Sequence, residues 1–190
     1  MASKLSEEIS VSRIIQRYGG WKKLFISKYF LTACLLLIPT HSLWSKAGWW
    51  DTIFSIVPNL LGFTIGAFSL TIAFGDEKFK ELLAKTVDDE DSSPLQEMSA
   101  TFLIFIAVQT LALIAAIACK GMWETGMEFV PEKFFHLVGL AGVLIWGVSY
   151  FLFLYGILLA LAAARWIHML AVVYTAHAAG QKPPPGSKPK

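Results

Sequence analysis

Four long apolar runs dominate this chain and leave few folds open to it. They cover Tyr29–Trp44, Thr52–Phe74, Met98–Cys119 and Phe134–Ala164. A helix that crosses a bilayer needs roughly 20 apolar residues, and each run meets or approaches that length. The chain has 190 residues, of which 55% are hydrophobic and 16% charged. An average soluble domain carries about 25% charged residues, so four such runs cannot all hide in one soluble core of this size. The implied fold class is all-α: an integral membrane protein with four transmembrane helices. The first run is short and is extended back to Leu24, with Lys28 snorkelling to the interface. The last is overlong, which predicts a tilt or a helix continuing beyond the bilayer. The expected spans are about 24–44, 52–74, 98–119 and 134–164, within a membrane domain of residues 24–179.

The formal net charge of +2 says less than where the charges lie. Lys4, Arg13, Arg17, Lys22, Lys23 and Lys28 precede or open the first span. Lys78, Lys80 and Lys85 follow the second, and Arg165, Lys182, Lys188 and Lys190 follow the fourth. With four spans these thirteen of the sixteen basic residues share one side, against Lys46, Lys120 and Lys133 on the other. The positive-inside rule then places both termini and the 75–97 loop in the cytoplasm. No cleavable signal peptide is evident, because the apolar stretch starts late and leads into Trp44, Trp49 and Trp50. Those tryptophans read as an outer interfacial belt. An uncleaved protein of this kind suits a bacterial inner membrane. Cys34 and Cys119 are expected at different depths, as small apolar filler and not as a disulfide.

Residues 1–23 read as a cytoplasmic, interfacial amphipathic helix. Ile9, Ile14, Ile15 and Tyr18 recur near helical spacing while Arg13, Gln16 and Arg17 face away. Glu7 and Glu8 in the first turn and Arg17 near the last suit the helix dipole. Gly19-Gly20 ends the helix, and Trp21-Lys22-Lys23 marks entry into the first span. The second span is expected to continue into the cytoplasm, since Phe79, Leu82, Leu83 and Val87 keep a helical period. The run Asp88–Asp91 then stops it as a solvated loop, without the spaced ligands and glycine of a calcium loop. Ser93-Pro94-Leu95-Gln96 matches a capping box that starts the third helix. The connection Lys120–Lys133 is expected as a compact outer loop. Residues 180–190 read as a flexible Pro/Lys tail.

The second span is the richest segment for function. Ser55, Asn59, Gly62, Gly66, Ser69 and Ala73 recur at intervals of four or three, which puts small or polar groups on one narrow stripe. Phe63, Phe68 and the leucines cover the other faces, and Pro58 frees a backbone carbonyl one turn earlier. Two readings compete. In one, Gly62 and Gly66 make a small-xxx-small helix contact with Asn59 hydrogen bonding across it. In the other, the stripe lines a water-filled path between copies of the chain, where water satisfies the amide. The fourth span carries a comparable stripe of Gly139, Gly142, Ser149, Gly156, Ala160 and Ala163. Gln109, the only strongly polar side chain inside the third span, is expected to make an inter-helical hydrogen bond.

No acidic or basic residue lies in the middle of any span, which argues against proton-coupled pumps and voltage sensors. His41 with His136, and His168 with His177, fall in two pairs near opposite faces and could ligate haem or metal. Histidine is also inexpensive at an interface, so no cofactor or metal is expected. Neither a serine elbow nor a His-Glu-x-x-His helix is present, and no catalytic residue is assigned.

Val57-Pro58-Asn59-Leu60-Leu61-Gly62-Phe63 resembles the start of the pore-lining second helix of bestrophin anion channels. That family also has a basic N-terminal segment, four spans and both termini inside. Its basic, tryptophan-bearing segment after this helix is replaced here by Phe74–Phe79, and its large cytoplasmic extension has no counterpart. The resemblance implies homo-oligomers with the second helix around a central axis, where Asn59, Gly62, Phe63 and Gly66 would approach the path.

Taken together, the sequence points to a small homo-oligomeric channel or membrane-permeabilising pore. Asn59 and Gly62 would shape the path, and Phe63 would close it by dewetting. The alternative is a non-conducting membrane anchor or accessory subunit that recruits a cytoplasmic protein through residues 75–97. A haem- or metal-binding membrane protein is a third reading. The expected partners are the lipid bilayer and further copies of the chain, with no nucleic acid.

Overall fold

The computed structural model describes residues 10–73, 75–85, 92–125 and 135–181. Glu7, Glu8 and Ile9, Phe74, Val87, the acidic run Asp88–Asp91, residues 126–134 of the third connection, His136 and the tail from 182 lie outside the residues or side chains described. All regular structure within the described residues is helical: α1 (Val11–Tyr18), α2 (Gly20–Phe25), α3 (Lys28–Leu37), α4 (His41–Trp44), α5 (Trp49–Ala73), α6 (Glu77–Ala84), α7 (Pro94–Thr125) and α8 (Phe135–Gln181).

Three of these, α5, α7 and α8, are long and apolar enough to cross a membrane. At 1.5 Å per residue they measure about 37, 48 and 70 Å, against a hydrocarbon core about 30 Å thick. The overlong fourth run is thus one continuous helix that outreaches a bilayer. Helix α7 is central, packing on α8 along one side and on α5 along another, while α5 and α8 barely touch. The three alternate in direction: the rings of Phe68 and Phe102 lie 5.1 Å apart near one end, and those of Trp50 and Trp123 lie 6.4 Å apart near the other.

The first apolar run departs from the single 24–44 helix that its hydropathy predicts. Ser27 is extended and caps α3 by accepting from Phe30 N–H at 3.1 Å, which separates α3 from α2. At the far end Pro39 has no N–H to offer Leu35, so α3 stops and a turn over residues 38–40 leads into the four residues of α4. Helix α3 is ten residues long, about 15 Å, or half a hydrocarbon core. It lies along α8, with Phe30 edge-on to Phe151 and Tyr155, and Trp44 meets α8 at Gly147.

Two further elements form differently from expectation. The second span does not run on past its end. Gly75, at φ +87°, breaks it, and Asp76 starts a separate helix, α6, by accepting from Phe79 N–H at 2.8 Å. The Phe79 ring is fully buried, edge-on to Tyr174 at 5.1 Å. Trp49 and Trp50 are not an outward belt: both are buried between helices. Trp50, Trp123 and Trp146, one from each long helix, pack within 5.6–6.4 Å of one another. Trp44 turns its Nε1 back to donate to the Leu37 carbonyl at 3.0 Å.

The capping box at Ser93 forms as read. Gln96 N–H donates to Ser93 Oγ, and Ser93 N–H donates to Gln96 Oε1. Gly19, left-handed at φ +112°, closes α1 as expected. The apolar side of α1 is taken up by protein: Ile15 and Tyr18 are buried, and the helix packs on α7.

Candidate functional site

The stripe residues of the second span all lie on the outward side of α5. Its inward side is Trp49, Trp50, Ile53, Val57 and Thr64, all buried. Ser55, Asn59, Gly62, Phe63, Gly66 and Ser69 are all exposed, and Phe63 is 74% exposed. A Cβ added at Gly62 or Gly66 would meet nothing within 4 Å. The small-xxx-small contact of the first reading is therefore not made among the described residues.

Each polar group on the stripe first satisfies itself on its own helix. Ser55 Oγ donates to the Thr52 carbonyl at 3.0 Å, and Ser69 Oγ donates to the Ile65 carbonyl at 2.9 Å. Asn59 Nδ2 donates to the Ser55 carbonyl at 2.9 Å. That bond uses one of the amide's two donors and none of its acceptor capacity. Asn59, near the middle of a 25-residue apolar helix, thus presents an acceptor oxygen and a further N–H to whatever covers α5. Pro58 is accommodated without ending the helix.

Gln109 behaves in the opposite way. It is 1% exposed in the seam between α7 and α8. A Cβ at Gly156 would lie 3.3 Å from its Cγ. The predicted inter-helical hydrogen bond is not made, since neither amide atom has a partner among the described residues. An unsatisfied buried polar group costs about 1–3 kcal/mol, so this seam carries a polar group that its own walls do not satisfy. The lower half of the fourth-span stripe lines the same seam: Ser149, Gly156 and Ala163 are buried. The Sγ of Cys119 lies 3.6 Å from Ser149 Oγ. Gly139 is exposed and Gly142 half-buried.

The histidines do not converge. His41 stacks edge-on to Trp44, and His177 Nε2 lies 3.8 Å from Asp76 Oδ1. His168 and His177 are nine residues apart on one helix and so face opposite ways. No group of three or more His, Cys, Asp or Glu is placed to hold a metal among the described residues.

Two features escaped the sequence reading. One is the three-tryptophan contact, which Trp146, Tyr150 and Phe153 foreshadow by recurring on one face of α8. The other is the contact made by Tyr155, whose hydroxyl donates to the Leu24 carbonyl at 2.9 Å and whose ring shares a buried cluster with Tyr18. Burial raises the pKa of the Tyr18 phenol above its ordinary value. Nothing in the spacing links residues 131 apart, so this contact carried no local signal.

Comparison with known protein families, with curated proteins and with solved structures returns no match.

Proposed function

We propose that this protein is a small membrane channel or pore built from several copies of the chain, with α5 turned toward the path. The observation that carries the reading is the outward-facing stripe. Its own subunit leaves Asn59, Gly62, Gly66 and Ser69 uncovered in the middle of an apolar helix. An amide with spare hydrogen-bonding capacity is costly against lipid and inexpensive against water or a neighbouring copy. Glycines that meet nothing within 4 Å allow a close approach by such a neighbour. Phe63 is the most exposed ring of α5, and in this reading it closes the path by dewetting. The resemblance of Val57–Phe63 to the bestrophin pore helix points the same way.

In this reading the N-terminal segment, α6 and the C-terminal end of α8 face the cytoplasm, in keeping with thirteen of sixteen basic residues. The broken segment serves as the fourth crossing. Tyr18 belongs to the apolar cluster that contains Phe79, Met98 and Leu170, while Trp44 reaches the tryptophan end.

The test is aqueous access to the stripe. In a protein carrying Cys34→Ser and Cys119→Ala, Asn59→Cys in liposomes should react with a charged, membrane-impermeant thiol reagent. Ile65→Cys, exposed deep within the same helix but turned away from the stripe, should not. Protection of Asn59→Cys equal to that of Ile65→Cys would overturn the reading.

The second reading, a membrane anchor, draws on α6. Phe79 holds this helix rigidly to α8 while Lys78, Lys80, Glu81 and Leu82 are exposed. A stable hetero-complex after gentle detergent extraction, lost on reversing the α6 charges, would favour it.

A further inference from the structure

Gln109 is a polar side chain whose partner its surroundings do not supply. One helical turn to either side, buried Phe105, Ala112, Phe153 and Leu159 are apolar, and the hydroxyl of buried Tyr155 is taken up by the Leu24 carbonyl. Directly across is Gly156, whose missing side chain lets α8 approach the stem of Gln109 closely. The amide offers two N–H donors and one acceptor oxygen, and none of these is used.

The chemistry of the seam narrows what can answer it. A charged guest would find no counter-charge among these residues. A bulky guest would collide, because the Cγ of Gln109 already lies 3.3 Å from where a Gly156 Cβ would stand, and Val108 Cγ1 lies 3.8 Å from it. The guest must be small, neutral, and both donor and acceptor. Buried waters hold such positions in proteins, bonding to polar groups that lack other partners.

We infer that the α7–α8 seam contains a hydration site at the end of the Gln109 side chain, where water answers the donor and acceptor atoms of the amide. The site lies ten residues along α7 from the Cys119–Ser149 contact in the same seam. It belongs to one chain and does not depend on α5 lining a pore.

Water-edited solid-state NMR on the full chain in lipid bilayers, with glutamine nitrogens labelled, tests this directly. Subtraction of the Gln109→Leu spectrum assigns the side-chain signal. Water magnetisation should reach the Gln109 amide about as fast as that of the exposed Gln16. In Gly156→Ala the added methyl should slow the transfer several-fold. If that variant does not fold, the wild-type protein decides alone: transfer to the Gln109 side chain should outpace transfer to that residue's own backbone amide. A wild-type Gln109 side-chain signal as slow as that residue's own backbone amide would overturn the inference. Transfer unchanged in a folded Gly156→Ala variant would overturn it equally.

Discussion

The hydroxyl of Tyr155 donates to the carbonyl of Leu24 at 2.9 Å and so fastens the end of α2 to the middle of the longest helix. This one bond satisfies a carbonyl in the last turn of α2, just before the break at Ile26–Ser27. Tyr155→Phe should cost about 1 kcal/mol, the usual net value of such a bond. Trypsin should then cut faster at Lys22 and Lys23, with cleavage at Lys120 unchanged.

Burial of Tyr18 adds a pH dependence. Its phenol is raised above the ordinary value of 10.0. The neutral form is the one the folded state favours, so its contribution is complete below pH 10 and is lost as pH rises beyond it. Melting temperature should fall more between pH 9 and pH 11 in the wild type than in Tyr18→Phe. Equal falls would contradict the burial of this ring.

Phe79 plugs α6 onto α8. Phe79→Ala removes a fully buried ring and should cost about 3–5 kcal/mol. Gly75→Ala should also destabilise. Its φ of +87° is left-handed, and its Cβ would collide with the Phe79 ring; the backbone term alone is about 1–2 kcal/mol. Thermal denaturation in detergent reads both.

The glycines of α5 give the opposite expectation. Gly62→Leu and Gly66→Leu add side chains where nothing lies within 4 Å, so helicity and monomer folding should be retained. Self-association should drop, as read by light scattering of the detergent-solubilised protein. An unchanged oligomer would show that copies do not meet across this stripe.

The long helices were legible because length and apolarity are local properties. The stripe on α5 was legible for the same reason, since spacing alone aligns Ser55, Asn59, Gly62, Gly66 and Ser69. The direction the stripe faces was not, because that depends on which side of α5 buries Trp49, Ile53 and Val57 against α7. The broken first segment shows another limit. Its hydropathy is continuous, while Ser27 and Pro39 act through single hydrogen bonds that a hydropathy window averages away. Trp49 and Trp50 were read as a belt on composition, yet ring-to-ring contacts from α7 and α8 draw them inside.

The most direct measurement is ion flux into liposomes containing the purified protein, set against empty vesicles and against Asn59→Leu. A channel organised around α5 predicts flux from the wild type and its loss in an Asn59→Leu variant that stays folded and inserted. No wild-type flux from correctly inserted protein, or full flux in Asn59→Leu, would contradict it.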